Sequence, residues 1–441
     1  MRILFIAPSA YLLGGVQDWL YMLVLGLRDR GHQVVVGVPD GKFHRLNPYN
    51  QHFAGLNAKG FVNRTGTQAG AQRALGNFLI DNPADLVIGV NIADLYGAFA
   101  ARASKLFPAK LIMTLHAIEA DYFADIEMYA SVLDAIVVTN RLTEALVKGI
   151  KPVHENRVFY APYGVASGPT RISRGSHPLR IAWVGRIENS QKRAADLRPI
   201  LLNLDEAQCD YRVSIAGSGP DLDELRNLLA PWIQSDKVKL EGVIAKANIQ
   251  DFLAGHDVLL ITSQWETGPI VAWEAMAAGL VVVSSDYVGS YLERALIHDS
   301  TALLYPIGDA QEACRQMMRL NDDLLYQSLS VNGRRMALSR YSIGASIDAW
   351  EQAFEQTLQL DRQVSSLRQP RKSVQPSGRL ERFCGPVWAE RLRRVLPLRT
   401  LVPDSGSEWP HSMHHIQDQT AILESARSLE AATAKPEISA P

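Results

Sequence analysis

The chain has 441 residues, 47% of them hydrophobic, which is material for two domains with their own cores and a tail. Its formal net charge of -1 lacks the basic excess of a nucleic-acid binder, so nucleic acid is not expected as a partner. The three cysteines, Cys209, Cys314 and Cys384, are far apart and odd in number, which argues against a disulfide framework or a zinc cluster and suits a reducing, cytoplasmic setting.

No uninterrupted apolar run approaches the roughly 18 residues of a spanning helix, and the apolar start from Arg2 to Pro8 is too short for a signal peptide. The first half opens with the strand-like run Arg2 to Ala7. A Gly14-Gly15 loop leads into an amphipathic helix around Gln17 to Asp29, Gly31 stops it, and Gln33 to Val38 is the next strand. Leu86 to Val90, Lys110 to Leu115 and Ala135 to Thr139 are further strands. The second half opens in the same way with Arg180 to Gly185, followed by Tyr211 to Ala216, Val238 to Leu240, Asp257 to Ile261 and Leu280 to Ser284. Strands alternating with helical patterns predict two Rossmann-like α/β units with parallel sheets. The turn-rich stretch Ala166 to Pro178 reads as their linker. The expected organisation is a first domain over 1–168, a second over 169–340, a closing helix over 341–360 carrying Ile347, Trp350, Phe354 and Leu358, and a polar tail over 361–441 expected to be largely disordered.

The most informative stretch is Gln264 to Gly279. Gly268 then Pro269 suits a cap and a first helical residue, and Gly279 suits a left-handed stop, so a helix is expected over about Pro269 to Ala278. Its free N–H groups at Ile270 and Val271, with the positive end of its dipole, face the carboxyl end of the incoming strand, where open α/β sheets bind ligands. An anionic diphosphate fits there. Glu274 leans back toward that end and Glu266 lies just ahead of it, so two acids flank one site. In the loop Gly185 to Lys192, Arg186 and Lys192 supply a fork and a point charge for a diphosphate, although a solvated basic loop is an equal reading of that segment alone. Asp221-Leu222-Asp223 imitates a metal-binding DxD motif, but at a helix start these acids read as dipole partners, and no metal site is expected.

Taken together, the residues from 1 to about 360 resemble a family 4 retaining glycosyltransferase of the GT-B fold, in which two Rossmann-like domains face each other across a cleft. The resemblance implies that Arg186 and Lys192 bind the donor diphosphate, and that Glu266 lies by the donor sugar and Glu274 by the ribose. It also implies that Gly14 and Gly15 belong to a glycine loop approaching the donor, and that His116 sits by the reacting sugar. Gly268, Ile270 and Val271 complete the donor set, with His116 and Glu266 as the catalytic candidates. The implied activity is transfer of a hexosyl group from a nucleoside-diphosphate sugar to a sugar or lipid-linked saccharide acceptor, without a metal or other cofactor. Cell-envelope or exopolysaccharide assembly is the implied setting. The chain departs from the family's pattern at Thr267-Gly268-Pro269, where Gly-Phe-Gly is usual, and at Pro162-Tyr163-Gly164-Val165, where Pro-Asn-Gly-Val is usual. A nucleotide-sugar epimerase of the same fold and a non-catalytic sugar-binding scaffold are the alternatives. In the tail, the basic stretch Val387 to Pro397 places Trp388, Leu392 and Val395 on one helical face. This suits peripheral contact with an anionic membrane surface, and a small helix packed on the folded body is the plainer alternative.

Overall fold

Apolar runs that are buried on both faces build parallel sheets covered by helices. The structure, a computed structural model, describes residues 1–9, 15–41, 45–65, 67–90, 92, 95–99, 108–168, 178–363, 379–396 and 419–434. One sheet contains β1 (Arg2–Ile6), β2 (Gln33–Asp40), β3 (Lys59–Val62), β4 (Leu86–Val90), β5 (Lys110–Leu115), β6 (Ala135–Val138) and β7 (Val158–Tyr160). These strands are parallel in the order β3-β2-β1-β4-β5-β6-β7. The other contains β8 (Leu179–Val184), β9 (Tyr211–Ala216), β10 (Val238–Gly242), β11 (Val258–Ile261), β12 (Val281–Ser285) and β13 (Ala302–Tyr305), parallel in the order β10-β9-β8-β11-β12-β13. Both are doubly wound α/β sheets. In each, the strand order reverses beside the first strand, so the crevices lie at the carboxyl ends of β1 and β4 and of β8 and β11. The strands that sequence reasoning missed, β3, β7 and β13, are all edge strands.

Packing divides the chain into two units, Met1–Ala161 with Ile347–Ser425, and Pro162–Ser346 with Ala426–Pro441. Of the stretch read as the linker, 169–177 lies outside the described residues. The helix Ile343–Gln359 begins in the second unit, and from Ile347 onward it belongs to the first. There Trp350 and Phe354 are fully buried, with the Trp350 ring 4.6 Å from Trp19 and the Phe354 ring 6.2 Å from Phe5. Gly26, on the helix Gly15–Asp29, permits this approach: a Cβ there would lie 2.2 Å from Ile347 Cδ1.

In the second unit the helices Ile270–Ala278 and Asp323–Tyr341 cover one face of the sheet. Trp273 stacks on Tyr341 at 4.3 Å with the rings 2° from parallel. Trp183, Ile200, Leu204 and Trp232 belong to the core on the other face. All three cysteines are free. Among the described residues no helix is long and apolar enough to cross a membrane. Within the tail two stretches are helical, Arg379–Val395 with a break at Gly385, and Gln419–Ala434. Apart from Leu396, the rest of 364–441 lies outside the described residues.

Replacing Trp350 with Ala removes the largest side chain that the helix Ile343–Gln359 places in the first unit. It is expected to cost about 3–5 kcal/mol in denaturant unfolding. Leu324→Ala, at a position 78% exposed, is expected to stay within about 0.5 kcal/mol.

Candidate donor site

The loop after β8 is folded around one carboxylate. Glu188 is buried and accepts from the backbone N–H of Gln191 at 3.0 Å and of Lys192 at 2.8 Å, and from the Ser190 hydroxyl. Burial pushes its carboxyl up, but the Ser190 hydroxyl and the N–H groups of Lys192 and Gln191 outweigh it and hold the acid below its ordinary value. The turn Gly217 to Pro220 seats this loop from beneath. Gly217 has φ +141°, and a Cβ there would lie 1.9 Å from the Gly185 carbonyl oxygen, so the two backbones meet only because the residue is glycine. Ile187 N–H donates to the Ser218 carbonyl at 2.9 Å, and Asn189 N–H donates to Asp221 Oδ2 at 2.8 Å. Asp221 therefore holds the loop. It stands at the cap position of the helix Leu222–Leu228 without a side-chain capping bond, and Asp223, in the first turn as expected at a helix start, also pairs with Arg226.

The loop after β11 is fastened to the first. Gln264 N–H donates to the Gln191 carbonyl at 2.7 Å, Gln191 Nε2 to the Trp265 carbonyl at 3.1 Å, and Thr262 Oγ1 to the Lys192 carbonyl at 2.6 Å. Glu266 N–H donates to Val288 O at 3.2 Å, which ties this loop to the segment after β12 as well. These bonds bring Lys192 and Glu266 together. Lys192 Nζ lies 2.5 Å from Glu266 Oε1, which also accepts from Ser263 Oγ at 2.5 Å, with the two side chains only 19% and 6% exposed. Arg186 projects from the same loop, exposed and without an ion pair among the described residues.

Beyond Glu266 the chain turns at Gly268, whose φ of +94° lies in the left-handed region, and enters the helix Ile270–Ala278. Pro269 is the cap and not the first helical residue, so the expected start moves by one. Its carbonyl accepts from Ala272 N–H at 2.8 Å, and no side chain caps the helix. The N–H groups of Ile270 and Val271 have no partner among the described residues. Gly279, at φ +86°, ends the helix as expected. Glu274, buried one turn in, pairs with Lys246 from the turn Lys246–Asn248. Sequence reasoning missed Lys246, Glu188, Ser263 and Asp221. Glu188 stands inside a loop already singled out, and a lone acid there was the available signal.

In the first unit, His116 follows β5 and is buried against Trp19, with ring centres 4.6 Å apart. Its Nε2 lies 3.0 Å from Thr114 Oγ1, which donates to the Gly89 carbonyl at 2.8 Å. Burial pushes the His116 pKa down to about 3. Gly15 is the first residue of the helix Gly15–Asp29, and Gly14 lies outside the described residues. Among the described residues no group of three or more His, Cys, Asp or Glu is set to hold a metal.

Comparison with known proteins bears on the fold and on the class of the second unit. Residues 178–323 match the family described as Glycosyl transferases group 1. The amylovoran biosynthesis glycosyltransferase AmsK of Erwinia amylovora is 29% identical over 150 residues, 33% of this chain and 36% of that protein. An exopolysaccharide phosphotransferase of Streptomyces coelicolor is 25% identical over 199 residues, 45% of this chain and 20% of that protein. Thus the chain spans little more than a third, at most, of these two relatives. Among solved structures, Anabaena HepE in complex with UDP and glucose aligns with a TM-score of 0.64 at 18% identity, over 80% of this chain and 99% of that one. The fold is GT-B. By their descriptions, the matching family and the amylovoran relative are glycosyltransferases.

The state of His116 has a measurable consequence. Its folded pKa lies below the unfolded value of about 6.5, so the unfolded chain takes up a proton first as pH falls. Its contribution to stability is intact above about pH 6.5 and declines between there and pH 3, by at most about 1.4 kcal/mol per pH unit. His116→Gln is expected to flatten that part of the stability profile, measured by urea unfolding from pH 8 to pH 4.

Proposed function

We propose that the chain transfers a hexosyl group from a nucleoside-diphosphate sugar to an acceptor hydroxyl, with retention of anomeric configuration, as a family 4 glycosyltransferase. The observation that carries this is the pair of half-buried Lys192 with buried Glu266 beside the uncapped start of the helix Ile270–Ala278, at the crevice of the second sheet. A diphosphate placed there meets Lys192, the fork of Arg186 and two free amides. The solved HepE complex contains UDP and glucose, which supports a nucleotide-sugar as the donor class.

As the bond to the sugar breaks, negative charge grows on the diphosphate. Fixed cations and amides already aimed at that point stabilise the charge without reorganising. Lys192 is held by its own carbonyl and N–H bonds and by Glu266, so it is in position before the donor arrives. These groups do the electrostatic work that a metal does elsewhere, and the reaction is proposed to need none. Glu274, an acid at the rim of the same helix start, suits a ribose hydroxyl as acceptor of its hydrogen bonds. The resemblance names His116 as a second catalytic candidate, and burial keeps its ring neutral, so it would act by hydrogen bonding and not by charge. The proposed acceptor is a sugar or lipid-linked saccharide at the cytoplasmic face of the membrane, in exopolysaccharide or cell-envelope assembly, and the amylovoran enzyme's name supports that setting.

Lys192→Ala is expected to weaken UDP binding by about 1.5–3 kcal/mol, and the exposed Arg186→Ala by about 1 kcal/mol, in isothermal titration calorimetry. Unchanged affinity in both folded variants overturns the donor assignment.

Turnover of the cognate donor and acceptor is expected to persist in EDTA. Proton NMR of the fresh product should show the anomeric configuration of the donor. Loss of activity restored by a divalent cation overturns metal independence, and an inverted product overturns retention.

A further inference from the structure

The tail helix Arg379–Val395 carries two acids, and both are turned inward. Glu390 is 4% exposed and accepts from Thr67 Oγ1 at 2.7 Å, Thr65 Oγ1 at 2.9 Å and Arg73 Nη2 at 2.5 Å, all from the first unit. Glu381 faces the buried Arg393 at 3.8 Å. With Ala389 these residues form the buried face that fixes the helix to the body. A docked helix of known orientation results.

The opposite face is therefore known too. Trp388, Arg391 and Val395 follow at three- and four-residue spacings, flanked by Val387, Leu392 and Arg394, and all six are exposed. Leu396 follows this face at its far end and is exposed too, and Phe383, before the break at Gly385, is 93% exposed. Arg391 lies over the Trp388 ring at 5.0 Å, which keeps the indole and the cation on one side. Arg379 and Arg382 are exposed as well. Since both acids are spent beneath the helix, every outward charge on it is positive.

We propose that this face is a docking surface for an anionic lipid bilayer, with Trp388, Val395 and Val387 entering the headgroup region and Arg391 and Arg394 meeting the lipid phosphates. The charge selects the occupant. A protein partner of the usual mixed charge meets an all-positive rim around a protruding indole, whereas a leaflet rich in acidic headgroups offers a continuous negative plane and an apolar layer behind it. Glu390 holds the helix in register, so the body pre-orients the surface and the helix need not form on arrival. The surface stands independently of the transferase reading and is tested without any donor.

The experiment is co-sedimentation of the full chain with vesicles of phosphatidylglycerol and phosphatidylcholine, beside vesicles of phosphatidylcholine alone, at low and high salt. Binding is expected to the acidic vesicles, weakened by salt. The double variant Arg391→Gln, Arg394→Gln should bind on the order of 30-fold more weakly, and Trp388→Asp with Val395→Asp should abolish pelleting. All four positions are exposed, so far-UV circular dichroism and the unfolding midpoint should be unchanged. Equal pelleting of wild type and both variants overturns the proposal. So does a dimer in sedimentation equilibrium that Trp388→Asp with Val395→Asp dissolves while vesicles recruit nothing, since the face would then belong to a second copy.

Discussion

Glu266 is a carboxylate almost out of water, and an ion in that position is tolerated only with a cation and further donors on its oxygens. Lys192 and the Ser263 hydroxyl supply them. This requirement organises the second unit's crevice. To bring Lys192 to Glu266, the loop after β8 folds on Glu188 and is fastened by Gln191 and the Lys192 carbonyl to the loop after β11. Beneath it, two backbones approach so closely that only glycine fits at Gly217. Each contact is local and modest, and together they hold a positive charge where the sheet topology leaves a ligand crevice.

The proposed donor site uses a helix start as a binding group. The helix Ile270–Ala278 has no side-chain cap, since a proline sits at the capping position. A Ser or Asp there would compete with an anion for the amides of the first turn. Proline leaves them open, at a small loss in helix stability offset by packing on the helix Asp323–Tyr341.

Much of this was legible in the sequence because its signals are local. The central strands are dense apolar runs, the helix over 270–278 is bracketed by Gly268 and Gly279, and the spacing of Glu266 and Glu274 follows the strand before it. The edge strands β3, β7 and β13 are short, and a run of three or four residues is weak evidence by itself. What stayed hidden depends on distant partners. Lys246 with Glu274, Asp221 with the Asn189 amide, and Glu390 with Thr65, Thr67 and Arg73 join residues about 30 to 325 positions apart, and no periodicity records such a meeting. The tail helix shows both sides of this: its apolar spacing was visible, but which face it would turn outward depended on where Glu390 found its donors.

The helix Ile343–Gln359 has a consequence for synthesis. Trp350 and Phe354 complete a core built on Phe5 and Trp19, yet the ribosome reaches them only after residues 162–346 of the second unit. At about 5–20 residues per second, the intervening residues 162–346 impose a wait on the order of ten to forty seconds. During it, Phe5 and Trp19 lack those partners. The nascent first unit is thus left with an open apolar face for longer than most domains take to fold, and the cell's holding chaperones have that interval in which to bind it.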